Sequence, residues 1–146
     1  MIEGIKTIPL KQIFDERGKV MHMMRNDSEL FSQFGEIYFS VTYPGVVKAW
    51  HLHKEMTLNY AVVSGAIKFV FYDDRAKSKT KGQIQEIFVS PENYSLIHVP
   101  PGIWNGFKSV GKDSSILANC SSIPHDQNEI IRKPFNDNEI PYTWDI

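Results

Sequence analysis

Short spans in which apolar and polar residues alternate, each closed by a turn signal, constrain this chain more than any other feature. Alternation runs through Ile37 to Tyr43, Lys68 to Tyr72, Ile84 to Val89 and Leu96 to Val99. Side chains on a strand point to opposite faces with period two, so such spans read as half-buried strands. Asn26-Asp27, Pro44-Gly45, Ser64-Gly65, Asp73-Asp74, Lys81-Gly82 and Pro101-Gly102 separate them with residues suited to tight turns. Many short strands at regular spacing predict an all-β sandwich or barrel. Two short helices are expected beside them: Ser28 to Phe34 behind an Asp27 cap, and a weaker one after Pro124 through Asp126 to Arg132.

The 146 residues suit one domain covering 1–146, with no repeat or linker to divide them. A single cysteine, Cys120, excludes an internal disulfide and points to a reducing compartment. No charged leader precedes a long apolar stretch, and no apolar run approaches the roughly 20 residues of a membrane span, so a cytoplasmic protein is expected. With a formal net charge of −1 and both signs interspersed, no broad basic field exists for a nucleic-acid backbone. A bound anion must be met by a few local cations, for which Arg17 and Lys48 are candidates. The tail from Phe135 to Ile146 is expected to be irregular. Its Pro141, Tyr142 and Trp144 suggest that it covers the outside of the fold or reaches a second subunit.

His51 and His53 are one residue apart in a strand-like segment behind Gly45. The strand period puts both imidazoles on one face, and hence in one cavity. Two histidines under-coordinate a divalent ion, since stable sites normally use three or four protein ligands. Paired imidazoles without further obvious ligands suit general acid or base work near neutral pH.

The Gly45…His51-x-His53 spacing resembles the first half of the cupin signature. Leu58 stands where that signature has a glutamate, and the later turn Pro100-Pro101-Gly102-Ile103-Trp104-Asn105 ends in an amide instead of a histidine. Further stretches, in order, resemble the sugar-nucleotide epimerase branch of the cupins, typified by dTDP-4-dehydrorhamnose 3,5-epimerase. They are Phe14-Asp15-Glu16-Arg17-Gly18, Val47-Lys48-Ala49-Trp50-His51, Val62-Val63-Ser64-Gly65, Tyr72-Asp73-Asp74-Arg75, Val89-Ser90-Pro91-Glu92-Asn93 and Val99 to Phe107. The resemblance implies an all-β cupin jelly-roll barrel of antiparallel strands with a short N-terminal helix and an irregular C-terminal tail. It also implies a cytoplasmic homodimer without cofactor or metal, acting on a nucleoside-diphosphate 4-keto-6-deoxyhexose. In such a sugar the C4 ketone acidifies the C3 and C5 hydrogens; a base removes one and an acid returns a proton to the opposite face.

Carried over residue by residue, the resemblance makes His51 the base and Arg17 a diphosphate ligand, with Lys48 replacing a second arginine. Strict alternation puts Lys48 on the strand face opposite His51, so it reaches the pocket only through a bulge or by serving a partner subunit. Glu36 and Tyr38 match substrate-contacting positions, and Asn105 could hold a hydroxyl or the keto oxygen. His53 is a second acid or base, or a group that holds His51. No tyrosine stands near Ile116, where the family has its acid. Tyr60, sharing strand parity with Leu58, is the candidate replacement. The chain ends before the segment that in the family carries the base's aspartate partner. The dTDP-sugar 3,4-ketoisomerases resemble it too, through the His-x-His pair and a tyrosine where Tyr38 stands. Two other readings are a non-catalytic ligand-binding cupin and a metal site of His51 and His53 with Glu55 or His125.

Overall fold

A computed structural model describes residues 1–145. Its twelve strands are β1 (Lys6–Pro9), β2 (Gln12–Asp15), β3 (Gly18–Met21), β4 (Glu36–Thr42), β5 (Val47–His53), β6 (Leu58–Ser64), β7 (Ile67–Tyr72), β8 (Ile84–Val89), β9 (Ser95–Val99), β10 (Trp104–Ser109), β11 (Ser115–Ser121) and β12 (Ile130–Arg132). They build one five-stranded sheet in the order β1-β9-β6-β11-β4, another in the order β12-β5-β10-β7-β8, and a separate β2-β3 hairpin. Every ladder is antiparallel. From β4 onward the chain crosses between the large sheets, returning within one sheet only at the β7-β8 hairpin, which gives the interleaved pattern of a jelly roll.

The two sheets face each other over an apolar core. Leu58, Tyr60 and Val62 of β6 meet Ile67, Phe69 and Phe71 of β7, with Ile97, Val99, Phe107 and Leu117 closing the layer. Tyr60 stacks on Phe69 across the interface at a ring separation of 5.3 Å. The alternating residues are thus the inward halves of strands, as periodicity dictates. The expectation of a closed barrel is corrected: among the described residues no ladder joins the two sheets. At one edge β4 and β5 stand apart, and the gap between them opens a cavity.

The N-terminal helix is also corrected. Ser28 to Phe34 forms isolated turns, with Phe31 N–H bonded to the Ser28 carbonyl at 3.0 Å and no continuing ladder. Asp27 does not cap it, because both carboxylate oxygens bind the Arg25 guanidinium at 2.7 and 2.8 Å. Seven residues cannot offset the cost of helix nucleation without burying a face, and Phe34 is exposed. The second expected helix is strand at its end: Ile130, Ile131 and Arg132 pair with His53, Leu52 and His51. An unpaired β5 edge would leave backbone groups without partners. The one helical turn among the described residues is a 3-10 segment, Pro91–Asn93, capped by Ser90.

The irregular tail covers the outside of the second sheet, and Ile146 lies outside the described residues. Ile140 and Trp144 are buried with Trp50, Val70 and Trp104, each such side chain contributing about 2 kcal/mol. The cover explains why β7 is buried on both faces, Lys68 included, with the Lys68 ammonium 5.5 Å from the Trp144 ring. Gly106 permits this approach, because a Cβ there would meet Trp144 at 3.1 Å and Ala49 at 2.5 Å.

Buried Asp73 anchors the turn after β7. Its carboxylate accepts five hydrogen bonds, from Arg75, Ser78 and Thr80, at 2.5 to 3.1 Å. Burial pushes its pKa up, but these donors together hold it below the usual carboxylate range. Asp73→Ala is expected to lower unfolding free energy by about 3 kcal/mol in urea denaturation, because Arg75 and two hydroxyls lose their acceptor. Since the folded group is depressed, its stabilisation is complete above the ordinary aspartate pKa of about 4 and is lost as pH falls below it.

Candidate active site

A cavity of about 660 Å³ lies in the gap between β4 and β5, within the size range of small-ligand sites. Its walls come from opposite sheets. β4 and β6 supply Glu36, Tyr38 and Tyr60, whereas β5 supplies Lys48, His51 and His53. Leu117, Phe107 and Met56 join the cavity to the core.

Lys48 shares the cavity with His51 because β5 carries a bulge. Opposite β10, Asn105 pairs with His51 and Phe107 with Lys48, so two steps on β10 match three on β5. The surplus residue turns Lys48 to the side of the histidines. Its ammonium donates to the Ser40 hydroxyl at 2.9 Å and the Val41 carbonyl at 2.8 Å, crossing the gap to β4.

Two hydrogen-bonded groups organise the interior. His51 Nε2 is 3.4 Å from the Tyr60 hydroxyl, which donates to Asn105 Oδ1 at 3.1 Å, while Asn105 Nδ2 donates to the His51 carbonyl at 3.1 Å. His53 Nδ1 bonds to the buried Glu129 carboxylate, which also accepts the Glu55 and Met56 amides at 3.1 and 3.2 Å. The imidazoles lie edge to face with centroids 5.4 Å apart. On the opposite wall, Asn119 donates to the Tyr38 hydroxyl at 3.0 Å.

Electrostatics separates these groups. His51 keeps some surface toward the cavity yet sits deep, and burial, aided by His53 and Arg132, pushes its pKa down to about 3. Burial raises the Tyr60 phenol well above its ordinary value, with Tyr38 adding to the effect, and burial raises Tyr38 as well. Burial alone would raise Glu129, but hydrogen bonds from His53 and the two amides hold it below the usual range. The interior thus presents a neutral His51, protonated phenols and an ionised carboxylate.

Of the residues singled out in the sequence, His51, His53, Tyr60, Glu36, Tyr38 and Lys48 line this cavity, and Asn105 stands directly behind it. Arg17 does not: it sits at the tip of the β2-β3 hairpin, largely exposed and paired with Asp15 at 2.7 Å. His125 reaches the rim. Among the described residues no three His, Cys, Asp or Glu side chains are placed to hold a metal. Sequence reading missed Glu129, Arg132 and Lys133. Ile130 and Arg132 both line the cavity, and the β-branched pair Ile130-Ile131, read as strand instead of helix, carries the signal that would have found Arg132.

From about pH 6.5, the ordinary histidine value, down to about 3, the unfolded chain holds a proton on His51 that the folded chain does not. Stability therefore falls as pH drops through that window. Denaturation at pH 7 and pH 5 is expected to show a loss in the wild type that is smaller in His51→Asn.

The family model described as dTDP-4-dehydrorhamnose 3,5-epimerase matches residues 1–146. The spore coat polysaccharide biosynthesis protein SpsL of Bacillus subtilis is 31% identical over 146 residues, covering 99% of this chain and 97% of that protein. The probable low-salt glycan biosynthesis epimerase Agl13 of Haloferax volcanii is 35% identical over 120 residues, covering 81% of this chain and 77% of that protein. The crystal structure of a dTDP sugar isomerase from Desulfovibrio desulfuricans G20 is similar with a TM-score of 0.96 and 46% identity, covering 98% of this chain and 92% of that one.

Proposed function

The chain belongs to the dTDP-4-dehydrorhamnose 3,5-epimerase family, and from that premise we propose that it is an isomerase moving protons beside the C4 ketone of a dTDP-linked 4-keto-6-deoxyhexose. The observation that carries this reading is the division of the cavity between an imidazole wall and a phenol wall. Inverting a carbon needs a base on one side and an acid on the other. His51 and His53 belong to one sheet and Tyr38 to the facing one, while the Tyr60 hydroxyl reaches across to His51 and Asn105. The family's acid position near Ile116 holds no tyrosine, and Tyr38, whose hydroxyl only accepts from Asn119, offers a replacement from the neighbouring strand β4.

The diphosphate is assigned to the cationic rim. Lys48 and Arg132 border the cavity, and Arg132 has no ion-pair partner among the described residues, whereas the neighbouring Lys133 is held by Asp137 and Glu139 over the Trp104 ring. Glu36 and Asn105 are assigned to the sugar, as acceptor and as two-way hydrogen-bonding amide. Arg17 fits the same purpose only in a homodimer. Its hairpin exposes Ile13, Phe14 and Val20, and the outer face of edge strand β4 exposes Ile37, Phe39 and Val41. Apolar surface of this kind on an edge strand calls for cover, and a second copy's hairpin would bring its own Arg17 to a neighbouring cavity. We place the protein in the cytoplasm, in deoxysugar supply for a surface polysaccharide or glycan, in keeping with its single cysteine and the biosynthetic roles of its relatives.

Proton NMR of dTDP-4-keto-6-deoxyglucose with the protein in deuterated water tests the reading. Loss of the C3 and C5 signals identifies a 3,5-epimerase, and exchange at C3 alone a 3-epimerase. Movement of the carbonyl would reassign the protein as a 3,4-ketoisomerase, while tight binding without exchange would make it a binding protein. Arg132→Ala is expected to raise KM about tenfold with kcat nearly unchanged, as for a group that holds substrate and transition state equally. Sedimentation should find a dimer at micromolar concentration; a monomer would sink the role given to Arg17.

A further inference from the structure

The direction of every hydrogen bond around the cavity follows from groups whose character is fixed. A backbone carbonyl only accepts and a backbone N–H only donates, so a side-chain amide bonded to either has both ends assigned. Asn105 Nδ2 donates to the His51 carbonyl at 3.1 Å, which turns Oδ1 to the Tyr60 hydroxyl at 3.1 Å. Tyr60 therefore uses its one hydrogen there and accepts from His51, which carries its own hydrogen on Nε2. Asn119 is oriented the other way. Its Oδ1 accepts from the Asn59 N–H at 3.1 Å, so Nδ2 donates to the Tyr38 hydroxyl at 3.0 Å. The Tyr38 O–H itself meets no acceptor among the described residues. Glu129 accepts two backbone amides on Oε2 and therefore takes the His53 Nδ1 hydrogen on Oε1. In the neutral ring the His53 lone pair is then on Nε2, which faces the cavity lining and has no partner among the described residues.

We propose that His53, not His51, is the base, that Tyr38 on the opposite wall is the acid, and that Glu129 is a positioning residue holding His53 in the required tautomer. This rests on the epimerase reading above. The C–H bond beside the ketone breaks, its proton passes to His53 Nε2, and its electron pair moves to the C4 oxygen as an enolate. The imidazolium so formed faces the Glu129 carboxylate. The C4 carbonyl re-forms as the same carbon takes the Tyr38 hydroxyl proton on its other face. Water then reprotonates the Tyr38 phenolate, and His53 releases its proton to solvent. His51 and Tyr60 form a closed donor chain to Asn105 and hold the wall.

Two-bond proton–nitrogen correlations of 15N-histidine-labelled resting protein test the geometry without substrate. The expected pattern is His53 protonated on Nδ1 and His51 on Nε2; His53 protonated on Nε2 overturns the proposal. With a substrate that the wild type turns over, His53→Asn should lower kcat on the order of 1,000-fold, and His51→Asn about tenfold. The reverse ranking overturns it. Tyr38→Phe should still exchange the substrate proton with deuterium while forming no inverted product; inversion at the wild-type rate overturns the acid assignment. Glu129→Gln should lower kcat about 100-fold with KM within about threefold, together with a changed His53 tautomer. If that variant fails to fold, the wild-type tautomers and the Tyr38→Phe exchange still decide. A wild type that exchanges no proton on any nucleotide 4-keto sugar overturns the epimerase reading and the catalytic roles, whereas the tautomers judge the hydrogen-bond geometry separately.

Discussion

One surplus residue in β5 decides which side chains share the cavity. Lys48 and His51 are three positions apart, and in a regular strand they would face opposite sides of the sheet. The bulge against β10 removes that conflict, so a cation at the rim and two imidazoles in the interior come from a single seven-residue strand. Trp50 then points outward, where Trp144 and Tyr142 cover it at ring separations of 5.3 and 6.0 Å. Gly106 leaves room on the facing strand for Ala49 and for the indole of Trp144. Tail, bulge and glycine are thus one packing unit behind the site, and none has an evident purpose without the others.

Charge is graded from mouth to floor. Lys48 and Arg132 stand at the rim, where water still screens and solvates them. Deeper in, burial disfavours charge on His51 and on both phenols, while Glu129 stays ionised because three donors converge on it. Such an interior suits a ligand with an anionic end and a neutral, hydroxyl-rich end. It also makes proton transfer depend on which hydrogen each polar atom already uses, since no water-like reorganisation is available to correct a wrong orientation.

Much of this was legible beforehand, for local reasons. Strand alternation gave the all-β class, and the His51-x-His53 spacing put both rings on one face. Tyr60 was placed by parity with Leu58, and the need for a bulge at Lys48 was visible as a contradiction of parity. The failures were equally physical. Ser28 to Phe34 has a helix-like pattern, but Asp27 is drawn to Arg25 two residues away and no partner surface covers the segment. Asp126 to Arg132 lost its helix to the unpaired edge of β5, a demand that arises only once the sheet exists. Two sheets replace the closed barrel: no ladder joins β4 to β5, and the Lys48 side chain crosses between them instead.

Sequence by itself determined the periodicities: which residues are strand, which face each takes, and which chemical groups are available to a cavity. These follow from backbone geometry and from near neighbours, and they reach only a few residues along the chain. Tertiary structure alone decided which group does what. Glu129 meets His53 across 76 positions, and Tyr60 meets Asn105 across 45. Asn119 takes its orientation from the Asn59 N–H and passes it to Tyr38, 81 positions away. The direction of a hydrogen bond is a property of the pair and of what each partner already binds, so it exists only after distant strands have been brought into register.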